Sequence, residues 1–207
     1  MDGKPLKGIY LRTIRSQTAW VDPAIQLWNQ SLLDNLIYGA EENKAASHGF
    51  SIEEADLFDV LERLDHGLKT ELGESGGLVS GGEGQRVRLA RAMNRTNPRL
   101  VILDEPFRGL DREKRRLLLV RALKHWESAT LICVTHDVSE TLHFSRVLVV
   151  ENGQILEDGN PNELAANEKS RFGQLIQAEE AVHKNLWQNA NWRRLWMEGG
   201  NLAEIRE

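Results

Sequence analysis

Apolar positions along the chain change their period several times, and each change predicts an element. Between residues 30 and 38, Leu32, Leu33, Leu36 and Ile37 recur at i, i+1, i+4 and i+5, the stripe of a short amphipathic helix that Gly39 can end. Residues 40–50 are small and polar and read as a surface loop. Ser51, with Glu54 three residues on, predicts a capping box that opens a helix to about Leu64, with Leu57, Val60, Leu61 and Leu64 on its apolar face. The period then shortens. Thr18–Val21 is a β-prone run halted by Asp22-Pro23. Leu100–Leu103 is apolar throughout, the composition of a strand buried on both faces of a parallel sheet, and Thr130–Thr135 predicts a second buried strand. Helices are predicted over Gln85–Asn94, Glu113–Trp126 and Asp137–Phe144, and over Glu163–His183 with Gly173 as a weak point. Arg146–Glu151 and Gln154–Glu157 flank Asn152-Gly153, the composition of a type I′ hairpin turn. Strands alternating with helices imply an α/β fold built on a parallel sheet.

Composition changes this picture little. The 207 residues suit one ordinary domain, and 41% apolar with 28% charged residues is a soluble globular balance. A net charge of −5 argues against nucleic acid as the main partner. The lone Cys133 sits in Leu131-Ile132-Cys133-Val134 and reads as a buried small hydrophobe, which excludes a disulfide framework and fits a reducing, cytosolic setting. No apolar run approaches the ~18 residues of a membrane span, and no apolar signal segment is expected at the N-terminus. Beyond residue 184, Trp187, Trp192 and Trp196 stand beside Arg193 and Arg194. Trp192 and Trp196 are four apart and are expected on one helix face, packing on this domain or a neighbouring subunit rather than forming a ligand site.

Three groups of residues suggest chemistry. Ser80-Gly81-Gly82 directly before a helix can grip a polyphosphate, because backbone N–H groups without bulky side chains approach it closely and the helix adds its positive end. Asp104 and Glu105 close an apolar strand at its C-terminal end, where parallel sheets bind ligands. There Asp104 would hold Mg²⁺ and Glu105 would polarise an attacking water. His136 follows the next strand, so its side chain is expected to line the same crevice.

Together these residues resemble the ATP-binding cassette (ABC) ATPases, over most of residues 1–180. Val79–Glu83 is similar to the family's signature motif, with Val and Glu where Leu and Gln are usual. Asp104 and Glu105 match the Walker B acid and catalytic glutamate, Gly109–Asp111 the D-loop, and His136 the switch histidine. Thr70–Glu74 and Asp34–Gly39 resemble exporter-type members. The resemblance implies a P-loop NTPase-like ABC ATPase core, a parallel sheet flanked by helices, with a helical signature subdomain at about residues 24–95. It implies a partial nucleotide-binding domain over residues 1–183 and a Trp-rich tail over 184–207. ATP and Mg²⁺ are the implied cofactors. The implied partners are a second, head-to-tail nucleotide-binding domain and the transmembrane domains of an exporter, with no nucleic acid, and the implied location is cytoplasmic, at the inner face of the membrane. Asp104 is the implied metal residue; Glu105, His136 and the D-loop Asp111 serve the site, and Ser80, Gly81, Gly82 and Glu83 act in trans on ATP held by the partner.

The sequence departs from that pattern in three places. No Gly-x-x-x-x-Gly-Lys-Ser/Thr loop occurs in the 207 residues, so the N-terminal lobe with the Walker A cradle is expected to be missing, with Met1 on an internal strand position. The Q-loop glutamine expected before Asp22-Pro23 is Val21, with Gln26 as the candidate substitute. Glu83 puts a charge where an amide is usual. The isolated chain is therefore expected to be inactive as an ATPase. Two alternatives stay open: a non-enzymatic subunit that lends its signature to a complete cassette, and an ABC ATPase of the DNA-repair type. The second is disfavoured by the lack of sustained heptads in residues 1–78 and by the acidic charge.

Overall fold

The computed structural model describes residues 7–24, 26–40, 48–188, 195–198 and 201–204, which fall into two compact units, residues 1–136 and 137–207. In the first unit, β1 (Thr18–Val21), β2 (Leu100–Asp104) and β3 (Thr130–Val134) form a parallel sheet in the order β1-β2-β3. Val21 pairs with Leu103 and Leu103 with Cys133, so the three strands end together. One face is closed: Ala19, Val21, Val101 and Leu103 are fully buried, and α5 (Gly81–Met93) packs on β1. The other face is open, with Trp20, Ile132 and Val134 about half exposed. The expectation of strands buried on both faces is thus corrected to one face, and Cys133 is half-buried rather than buried. An unbroken apolar run does not distinguish one covered face from two.

Between β1 and β2 the chain is mostly helical. It follows α1 (Ile9–Ser16) and contains α2 (Leu32–Ile37), α3 (His48–Glu54), α4 (Phe58–Arg63) and α5. Ser31 caps α2 by accepting from the Asp34 N–H at 3.1 Å. Asn35 is fully buried and pins the preceding loop, accepting from the Trp28 N–H and donating to the Trp28 carbonyl. The Asn94 side chain donates to the Leu36 carbonyl at 3.1 Å, joining the end of α5 to α2. Ser51 does not open a helix. It lies buried inside α3, which closes at Glu54: the Leu57 N–H turns back to the Ile52 carbonyl and the Asp56 N–H to that of Glu53, and Arg121 donates to the carbonyls of Glu53 and Glu54. Asp56 then takes a left-handed φ of 55° before α4 begins. Beyond β2, α6 (Arg112–His125) leads to β3.

The second unit opens with a 3-10 turn over Val138–His143, where Glu179 accepts from the Ser139 N–H and hydroxyl. β4 (Val147–Glu151) and β5 (Gln154–Gly159) pair antiparallel across Asn152 and Gly153, whose φ values of 51° and 75° suit the predicted type I′ turn. The helix expected over 163–183 is two helices, α7 (Pro161–Ala166) and α8 (Arg171–Gln188). The break falls at residues 167–170, and Gly173 lies inside α8. β6 (Leu195–Glu198) and β7 (Asn201–Glu204) form a hairpin, so Trp196 is on a strand and not on the expected helix; Trp192 lies outside the described residues. No helix among the described residues is long and apolar enough to cross a membrane.

Candidate functional site

Parallel pairing brings the ends of β2 and β3 side by side, with Asp104 opposite Val134. One residue further, Glu105 donates its N–H to the Val134 carbonyl at 2.9 Å and turns with φ at 44°, a left-handed conformation that a side chain makes costly. Its carbonyl accepts from Gln85 Nε2 at 2.9 Å and from the Arg108 N–H at 3.3 Å. The turn directs the carboxylate to His136: Oε1 is 3.3 Å from Nε2, while the imidazole is 95% exposed. Oε1 itself is shielded from solvent and has no aligned donor. The predicted acid and histidine therefore meet, through the shielded oxygen of Glu105. Among the described residues no cluster of three or more His, Cys, Asp or Glu side chains forms a metal cage. Asp104 and Glu105 together supply hard carboxylate oxygens, which suit a Mg²⁺ ion that completes its shell with water and phosphate.

The Ser-Gly-Gly segment heads α5. Ser80 is its N-cap: the hydroxyl accepts from the Glu83 N–H at 3.3 Å, and Glu83 Oε2 accepts from the Ser80 N–H at 2.7 Å, a capping box. The N–H groups of Gly81 and Gly82 come next, where no intrahelical carbonyl precedes them. Nothing lies within 4 Å of a side chain built at Gly81, whereas one at Gly82 would strike the Gly109 carbonyl and Leu110 at 2.8 Å. Gly82 is thus required by its close approach to the D-loop-like turn, and Gly81 leaves the helix end open. Asp111 caps α6 by accepting from the Lys114 N–H at 2.8 Å.

Glu83 does not stand unpaired. Arg63 Nη2 is 2.7 Å from Oε2, and Arg63 Nη1 donates to the Leu78 carbonyl at 3.2 Å. Burial acts to raise the Glu83 carboxyl, but the Ser80 N–H, the Arg63 guanidinium and the Ser80 hydroxyl together hold it below the usual glutamate range. Val21 is fully buried in the sheet, and Gln26 is exposed in the loop beyond it.

Residues 1–108 match the ABC transporter family. The chain belongs to that family. An ATP-binding/permease protein of the glutathione/L-cysteine transport system CydC from Haemophilus influenzae is 33% identical over 84% of the chain, which covers 30% of that relative. The ATP-dependent lipid A-core flippase of Escherichia coli K12 is 34% identical over 84% of the chain, and 31% of the flippase is covered. A bacterial Atm1-family ABC exporter solved with ATP bound superposes with a TM-score of 0.78 at 25% identity, over 86% of the chain and 31% of the exporter. The chain thus spans about a third of the length of these relatives.

Two arginines around this site have partners that sequence spacing does not reveal. Arg63 is one, 20 residues from the Glu83 it neutralises. Arg86 is another: its side chain is 4% exposed and makes a bidentate pair with Asp59 at 2.8 and 2.9 Å. Lys114 adds a contact to Asp56 at 3.0 Å, so the signature helix, the α3–α4 turn and α6 share one charge cluster. The adjacent arginine holds the Asp59 carboxyl below the usual aspartate range. Spacing carries no signal for partners so far apart in the chain.

Proposed function

We propose that this ABC chain is the ATP-binding, signature-bearing part of an exporter. In this reading the open end of α5, with Ser80, Gly81 and Gly82, closes on ATP held by a second nucleotide-binding domain. Glu105 and His136 serve the nucleotide in the cradle of their own cassette. The observation that carries the reading is the pairing of Glu105 with His136 at 3.3 Å at the ends of adjacent parallel strands. Glu105 accepts the proton of the water whose oxygen attacks the terminal phosphorus, and the phosphorus–oxygen bond to ADP breaks. Asp104 would hold Mg²⁺ with phosphate oxygens, and the ion supplies charge neutralisation on the polyphosphate. The transmembrane domains of the exporter are the proposed partners, which puts the chain at the cytoplasmic face of the membrane and couples hydrolysis to transport.

The 207 residues contain no Walker A loop, so titration of the isolated chain should show weak or no Mg-ATP binding; micromolar affinity would mean that the chain holds nucleotide without that loop. In an assembly with a Walker A-bearing cassette, Glu105→Gln should slow hydrolysis by about 10²–10⁴-fold while association persists. Unchanged hydrolysis in that variant would remove Glu105 from the chemistry.

A further inference from the structure

The Glu105 carbonyl ends a line of polar contacts that begins at Arg88 on α5. Asp22 follows Val21 directly, and its carboxylate partly offsets the burial of the Arg88 guanidinium on α5. Arg88 Nη1 donates to Gln85 Oε1 at 2.9 Å, and Gln85 Nε2 donates to the Glu105 carbonyl at 2.9 Å. Gln85 is 3% exposed, and both ends of its amide are engaged. Flipping that amide would turn its NH₂ towards Arg88 and its oxygen towards the Glu105 carbonyl, two repulsive contacts in place of two bonds. Arg88 therefore sets which end faces Glu105.

Glu105 needs such a clamp. With φ at 44° it occupies a region that a residue with a side chain enters only when its surroundings hold it there. The Val134 carbonyl fixes its N–H and Gln85 fixes its carbonyl, on either side of the Cα that aims the carboxylate at His136. We infer that Gln85, oriented by Arg88, is a positioning residue for Glu105 and joins the signature helix to the carboxylate of the same chain. The functional side of this inference rests on the proposed role of Glu105; its structural side does not.

The test uses the isotopically labelled 207-residue chain, in which the Glu105 Cα and Cβ chemical shifts report its backbone region without nucleotide. Gln85→Glu keeps the acceptor for Arg88 and removes the donor to Glu105. It should move the Glu105 shifts out of the left-handed range and perturb the His136 ring resonances, leaving the α5 amide resonances in place. Arg88→Met should move the same resonances by a smaller amount. In an assembly that hydrolyses ATP, Gln85→Glu should lower kcat on the order of 10- to 100-fold with KM unchanged. Unmoved Glu105 resonances would overturn the inference. So would changes spread evenly along α5, which mark a packing lesion. If Gln85→Glu displaces Glu105 while Glu105→Gln leaves hydrolysis intact, the clamp stands and the catalytic reading falls.

Discussion

Glu83 holds a negative charge at the end of a helix proposed to meet phosphate, and its surroundings show how that charge is tolerated. Arg63 pairs with it at 2.7 Å, and the same carboxylate oxygen closes the capping box on Ser80. Glu83→Gln keeps an acceptor for the Ser80 N–H but loses the Arg63 pair, so it should cost no more than about 1 kcal/mol at neutral pH. The Glu83 carboxyl lies below its ordinary value in the folded chain, so its contribution is complete above the usual glutamate range and is lost as pH falls through the lowered value. Denaturant titrations should therefore show a gap between the parent chain and Glu83→Gln at neutral pH that narrows as pH falls below the usual glutamate range. A gap that is constant with pH would mean that ionised Glu83 does not stabilise the fold. A Ser-x-x-Glu spacing occurs at both 51–54 and 80–83, and only the second is a cap. The pattern is local, whereas α3 already starts at His48, which leaves Ser51 buried in its interior.

Two helices replace the one expected near the C-terminus, and Gly173 shows why. Helix propensity counts a glycine inside α8 as a weakness of roughly 1 kcal/mol that alanine would repair. In the folded chain a Cβ at Gly173 would lie 2.8 Å from the Asn167 carbonyl, 3.2 Å from that of Leu164 and 3.3 Å from that of Ala165. Those are backbone atoms, which cannot move aside as a side chain can. The break between α7 and α8 is held by the same surroundings: Ser170 accepts from the Gly173 N–H, and Glu157 accepts from the N–H groups of Arg171 and Phe172. Gly173→Ala should thus destabilise the chain by about 1–3 kcal/mol, the opposite sign from propensity alone. A rise in the thermal midpoint of that variant would show that the close approach is not maintained. Period and propensity made the elements of this chain legible where turns are local, as at Asn152-Gly153. They failed where a break depends on a carboxylate 13 residues upstream, as with Glu157 and Ser170.

At the scale of the whole molecule, the parallel sheet sets the strongest constraint, because such sheets are ordinarily covered on both faces. The meeting of Glu105 with His136 was legible, because each follows an apolar run that ends in polar residues; the β1-β2-β3 order was not. Nor was the coverage of the sheet, since burial depends on what else is packed nearby. Trp20, Ile132 and Val134 present an apolar stripe 54%, 49% and 50% exposed, and among the described residues β3 pairs on one side only. An exposed apolar face beside an unpaired strand edge favours self-association. The 207-residue chain alone should therefore bind an apolar dye and form concentration-dependent oligomers on size-exclusion chromatography. Replacing Ile132 and Val134 together by Thr retains β-branched side chains and removes exposed methyl groups. That double variant should lose most of the dye signal and elute closer to a monomer, with stability changed by no more than about 0.5 kcal/mol per site. A parent chain that stays monomeric without binding dye would mean the face is closed in solution, and a double variant that unfolds would mean these two side chains support the sheet from within.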